Sequence, residues 1–161
     1  MSRRDEIRMS EAELGAFLHE QRTVICATIG RDGWPHLMPL WYVVREPPPP
    51  ATGDELWVWT YAASQKVRNL ERDRRATLTI EAGEQYDELR GVMFRTEAVI
   101  ERDPDFVAAL GFALYERYLE TDELPADVRA SIAKQAPKRV AIRFVEASRV
   151  SWDHRKLAAA R

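Results

Sequence analysis

Apolar and polar positions alternate or cluster along this chain in a way that separates helices from strands almost from the first residues. Ser10-Glu11-Ala12-Glu13 is a capping box, in which the serine hydroxyl and the Glu13 carboxylate each satisfy a backbone amide of the other. With Met9 before the cap and Leu14, Phe17 and Leu18 on one face, it predicts a short packed helix to about Glu20. Thr23 to Ile29 is β-branched and apolar, Gly30-Arg31-Asp32-Gly33 is turn chemistry, and Trp34 to Val44 is again aromatic and β-branched, so a β-hairpin is expected. Pro35 and Pro39 cannot donate to a ladder, so the second strand is expected near an edge or with an irregularity at those points. Arg45 to Asp54, with four consecutive prolines, reads as an exposed loop.

Leu56 to Tyr61 predicts a third strand whose continuous bulk implies that both faces are covered. Ser64 then caps a short helix carrying Val67 and Leu70 and ending near Arg75. Ala76 to Glu81 and Arg90 to Arg102 are the fourth and fifth strands. Asp103-Pro104 opens an amphipathic helix through Val107, Leu110, Leu114 and Tyr118, and Pro125 opens another to about Gln135. Pro137 stops it before a sixth strand at Arg139 to Val145. Strands first, with helices inserted between the later ones, give an α+β fold: a mostly antiparallel, six-stranded barrel with short peripheral helices, organised as a single domain over 1–161.

Composition narrows the function classes. Twenty-four basic against 26 acidic residues give a net charge of −2, which argues against a nucleic-acid partner and for a small anionic ligand at most. The only cysteine, Cys26, sits in an apolar strand and reads as a buried structural thiol. The charged Met-Ser-Arg-Arg-Asp-Glu start lacks the apolar stretch of a signal peptide and no run approaches the ~20 residues that span a bilayer, so a cytoplasmic location without membrane contact is expected. His19, His36 and His154 show no metal-ligand spacing, and no metal is expected. There is no nucleophile elbow, Walker loop or dinucleotide glycine fingerprint.

The most informative segment is Trp59-Thr60-Tyr61-Ala62-Ala63-Ser64-Gln65-Lys66, where a strand runs into a helix start. Free amides at that terminus, the hydroxyls of Thr60 and Ser64 and the Lys66 ammonium can converge on one phosphate. Taken alone, the same residues also read as a plain cap and a solvated lysine. Lys66 to Arg75 carries a local charge of +3, which adds to Lys66 if the ligand is anionic.

Together, Ala27 to His36 with its Asp-Gly turn and following Pro-His, Ser64 to Leu70 followed by Asp73-Arg74-Arg75-Ala76, Arg90-Gly91-Val92 through Glu97-Ala98, and Val150-Ser151-Trp152-Asp153-His154-Arg155-Lys156-Leu157 resemble, in that order, the flavin and deazaflavin oxidoreductase superfamily of split β-barrels related to pyridoxamine 5′-phosphate oxidase. The resemblance implies a homodimer with a flavin-type ring in a cleft built from both subunits. It implies that Ser64 and Lys66 hold the cofactor phosphate, that Thr60 and Tyr61 lie near the phosphate or ring, that Trp152 approaches the cofactor across the dimer, and that Lys156 is a further cofactor-binding residue, at a position where some relatives use a basic side chain. Vitamin-pathway members carry Arg-x-Val-Leu-Leu-Lys on the second strand, where this chain reads His36-Leu37-Met38-Pro39-Leu40-Trp41. The resemblance is therefore to the branch that uses coenzyme F420, passing a hydride to a small conjugated substrate. The residues themselves point to no obligatory acid or base, and their spacing does not single out a proton donor among Tyr61, Tyr86 and water. The alternatives are an FMN-dependent oxidoreductase and a non-catalytic carrier of a flavin or tetrapyrrole.

Overall fold

In the computed structural model, which describes residues 3–47, 49–50 and 53–159, one sheet organises the chain. Its strands are β1 (Thr23–Ile29), β2 (Pro35–Trp41), β3 (Val43–Arg45), β4 (Glu55–Tyr61), β5 (Arg75–Ala82), β6 (Arg90–Glu101) and β7 (Arg139–Asp153). The helices are α1 (Arg3–Glu6), α2 (Glu11–Glu20), α3 (Gln65–Arg72), α4 (Pro104–Leu119), α5 (Ala126–Gln135) and α6 (Arg155–Ala159). The sheet order is β2-β1-β5-β6-β7-β4-β3 and every neighbouring pair is antiparallel.

Seven strands replace the six expected, because the stretch read as one strand from Trp34 to Val44 is divided at Tyr42. β2 pairs with β1 while β3 pairs with β4, and these are the two edges of the sheet. One crossing at Tyr42 therefore carries the chain from edge to edge and curls the sheet into a split barrel. The crossing is pinned from several sides. Tyr42 is fully buried, its hydroxyl lies 2.7 Å from Leu18 O and 2.9 Å from Gln21 O at the end of α2, and its amide donates to Tyr118 Oη at 3.0 Å. Arg117 donates to Tyr42 O at 3.0 Å and to Leu18 O at 2.8 Å, with its guanidinium over the Tyr42 ring. A cation on the orphan carbonyls of a helix C-terminus is favourable on charge and hydrogen-bonding grounds alike.

The capping box at Ser10 forms as expected, with Ser10 N to Glu13 Oε2 at 2.7 Å. β2 has one partner strand, which is the edge position of the two arrangements that its prolines allow. α3 ends at Arg72 rather than near Arg75, since Arg75 already belongs to β5. β7 continues eight residues beyond Val145 to Asp153, kept in register by the twelve-residue β6 across a bulge at Arg95/Thr96. In the proline-rich loop, positions 48, 51 and 52 lie outside the described residues.

Two apolar layers result. The barrel interior holds Val24, Cys26, Val58, Val67, Leu70, Leu78, Val92 and Ile142. The second layer packs Val43, Trp59 and Ala141 against α4 and α5 through Leu110, Leu114 and Ile132. Cys26 is in the first, and burial pushes its thiol up to about 12. Native protein is thus expected to resist a thiol-alkylating reagent at neutral pH and to react stoichiometrically once unfolded, as mass spectrometry can check. Among the described residues, no helix is long and apolar enough to cross a membrane.

Candidate functional site

β4 delivers alternating side chains to two sides. Leu56 and Val58 enter the barrel core with Thr60 next in the same row, while Trp57 and Trp59 face the helical layer. The chain then turns through 62–64 into α3, with Ser64 N donating to Tyr61 O at 3.1 Å. α3 packs Val67 and Leu70 into the barrel core, and this fixes the direction of the residues between them.

Lys66 is only 7% exposed, and its ammonium donates to Thr60 Oγ1 at 3.0 Å. It has no carboxylate partner among the described residues. Burial is the main cause of a lowered pKa, and the Arg139 charge adds to it. Ser64 occupies the N-cap position of α3, yet its side chain makes no cap bond and its buried Oγ has no partner. The expectation of an ordinary serine cap is corrected here: the hydroxyl is held out of water and left free. On the far side of Lys66, Asn69 is fully buried, donates to Thr28 Oγ1 at 3.0 Å and accepts from Gln65 Nε2 at 2.9 Å. The corner therefore presents a desolvated cation and a desolvated hydroxyl beside the first-turn amides of a helix, which is the donor set of a phosphate or similar oxyanion. These residues fit the phosphate of a flavin-type cofactor.

Tyr61 is half-exposed, with the guanidinium carbon of Arg139 3.9 Å from its ring centre and 4.1 Å from that of Trp59. Sequence reading missed Arg139. Its only signal was its place as the first residue of the last strand, and only the register Tyr61↔Arg139 brings it to the corner.

Trp152 and Lys156 are not brought to this corner within one chain. Trp152 stands thirteen residues along β7 from Arg139, about 40 Å of strand. Its ring lies over Gly91, where an added Cβ would meet Trp152 Cζ2 at 2.5 Å and Ile80 O at 2.8 Å. Gly91→Ala is accordingly expected to cost about 1–3 kcal/mol, read as a lower denaturant midpoint, because backbone as well as ring must shift. Lys156 is committed elsewhere: its ammonium donates to Arg8 O at 2.7 Å and to Glu13 Oε2 at 2.6 Å. Tyr86 is exposed and packs on His154, with ring centres 4.6 Å apart.

Trp152 borders a cleft of about 800 Å³ on the outer face of the barrel, lined by Ile25, Ala27, Leu37, Met93 and Val150 among others. A smaller cleft of about 530 Å³ lies between the β1–β2 turn and α3, with Trp34, His36, Gln65 and Asn69 on its walls.

The sequence matches the family model described as pyridoxamine 5′-phosphate oxidase over residues 10–150. No curated protein matches it. Among solved structures, a conserved hypothetical protein from Mycobacterium tuberculosis is 39% identical, with a TM-score of 0.85 over 98% of this chain and 93% of the other. An F420 reductase is 20% identical, with a TM-score of 0.61 over 83% of this chain and 93% of its own. HutZ, the heme storage protein from Vibrio cholerae, is 18% identical, with a TM-score of 0.64 over 88% and 94%. The last two share the fold. The family match spans both halves of the barrel as well as the β4–α3 corner, and on that basis the chain belongs to the pyridoxamine 5′-phosphate oxidase family.

Proposed function

We propose that this protein is an oxidoreductase that uses coenzyme F420 to transfer a hydride to a small conjugated organic substrate. The observation that carries the reading is the buried Lys66 ammonium, which has no carboxylate partner among the described residues and lies two residues along the chain from Ser64, whose buried hydroxyl is unpartnered. A buried cation with no carboxylate is costly in the free protein and becomes favourable when an anion arrives. Ser64, Lys66 and the first amides of α3 hold the cofactor phosphate in this reading, and Thr60 keeps the lysine aimed by accepting a hydrogen bond from its ammonium. When bound, the cofactor supplies the hydride chemistry, and the chain supplies position and exclusion of water.

A homodimer belongs to the same proposal. The apolar cleft beside Trp152 is a sheet face that a second copy would cover, and if Trp152 and Lys156 contact the cofactor held by Lys66, their separation from Lys66 requires them to come from a partner chain. Sedimentation should give a dimer; a monomer at micromolar concentration removes Trp152 and Lys156 from the site.

The test of the reaction is turnover. Reduced F420 mixed with the protein and a panel of enones and quinones should be oxidised in step with substrate reduction. Oxidation of reduced FMN alone would transfer the assignment to an FMN enzyme, and tight binding of either cofactor without turnover would make the protein a carrier.

A further inference from the structure

We propose that Arg139 is a second anion-binding residue of the β4–α3 corner, held in place by Tyr61 and Trp59, so that the corner engages its phosphate with two cations. The inference rests on the cofactor reading above and deepens it.

Four observations converge. The guanidinium lies against both rings, a stacking that fixes a flat cation and leaves its edge available. Nη2 is used, donating to Gln135 Oε1 at 2.6 Å, but the buried Nε has no partner. Among the described residues no carboxylate pairs with Arg139, as none pairs with Lys66, although ten other arginines and lysines of the chain stand in ion pairs. Finally, Arg139 pairs with Tyr61, the chain neighbour of Thr60, and Thr60 accepts the Lys66 hydrogen bond, so both cations belong to the same end of β4. Two like charges brought together without acids are destabilising in the free protein, and a shared oxyanion relieves both. Arg139 sits on the last rung of the β4–β7 ladder, opposite Tyr61, and the neighbouring Lys138 O accepts from Ala62 N. The arginine is thus anchored where the chain leaves β4 for α3. Tyr61 then acts as a positioning residue, its ring holding the guanidinium.

The test compares phosphate-bearing ligands with their phosphate-free partners: FMN with riboflavin, and F420 with the phosphate-free deazariboflavin. Wild type is expected to favour at least one phosphorylated form. Arg139→Gln should lower that affinity about tenfold and leave the phosphate-free form unchanged. Tyr61→Leu, which leaves the arginine in the chain, should lower it severalfold, and Tyr61→Phe should restore it. The groups that act on Lys66 charge are Cys26 from β1 and Arg139 from β7. Phosphate binding requires charged Lys66, so affinity falls as pH rises through its lowered pKa; in Arg139→Gln that limb should move to higher pH.

Loss of the phosphate preference in Lys66→Met with full retention in both Arg139→Gln and Tyr61→Leu overturns this inference and leaves the cofactor reading standing. An equal loss for phosphorylated and phosphate-free ligands makes Arg139 structural and overturns it as well. A wild type that prefers neither phosphorylated form overturns both.

Discussion

Lys66→Met will weaken cofactor binding about 10- to 100-fold while raising the stability of the ligand-free protein by about 1 kcal/mol. The first effect is the loss of a charge-assisted hydrogen bond to an anion in a desolvated place. The second follows from the same burial. The Lys66 pKa is lowered by desolvation first and then by the Arg139 charge, so the folded state holds the proton less firmly than the unfolded chain does. Charged Lys66 thus opposes folding below its folded pKa. Between that value and the ordinary 10.5 of an exposed lysine, the wild type gains stability as pH rises. Methionine keeps the length and apolar contacts of the side chain and removes the charge, and Thr60 is left with a small hydroxyl at the end of the core. Thermal unfolding with and without cofactor separates the two effects. The variant should melt above wild type when both are ligand-free, and wild type should gain far more on adding cofactor. A ligand-free variant that melts below wild type would make Lys66 a structural residue.

The largest stability effect belongs to Tyr42, which no ligand touches in this account. Tyr42→Ala should cost about 3–5 kcal/mol, the usual range for emptying a fully buried aromatic site. The loss concentrates where the two sheet edges meet, because the side chain packs in the barrel core while its hydroxyl reaches the carbonyls at the end of α2. Tyr42→Phe should cost only about 1 kcal/mol, since Arg117 also serves Leu18 O and Gln21 O. Urea unfolding of the two variants measures both values. A Tyr42→Ala loss below about 1 kcal/mol would mean that the crossing closes the barrel without this side chain.

Much of this architecture was legible because it is local. The capping box at Ser10, the Asp-Gly turn after β1 and the Asp103-Pro104 start of α4 each draw their signal from residues within one turn of each other, and each forms. What escaped the sequence is non-local. Trp41-Tyr42-Val43 is uniformly apolar, and the break at Tyr42 comes from α2 and α4, whose residues bond to its backbone and hydroxyl from far along the chain. The far half of β7 was invisible because Glu146 to Val150 is exposed and has no apolar alternation; its partner β6 keeps it extended. The candidate site divides in the same way. Thr60, Ser64 and Lys66 lie within seven residues, so their grouping at the strand-to-helix corner was readable, whereas Arg139 reaches it only through strand pairing. The serine signal was ambiguous in kind, since a residue at an N-cap position normally spends its hydroxyl on the cap and Ser64 does not.

In the function proposed above, the β4–α3 corner holds the phosphate of a flavin-type cofactor, with F420 favoured. Titration of the purified protein with F420 and, separately, FMN, following tryptophan quenching and cofactor emission, tests it most directly. Saturable binding of F420 at micromolar concentration is expected, tighter than that of FMN and weakened by Lys66→Met. Binding of neither cofactor, or binding unaffected by that substitution, would contradict it.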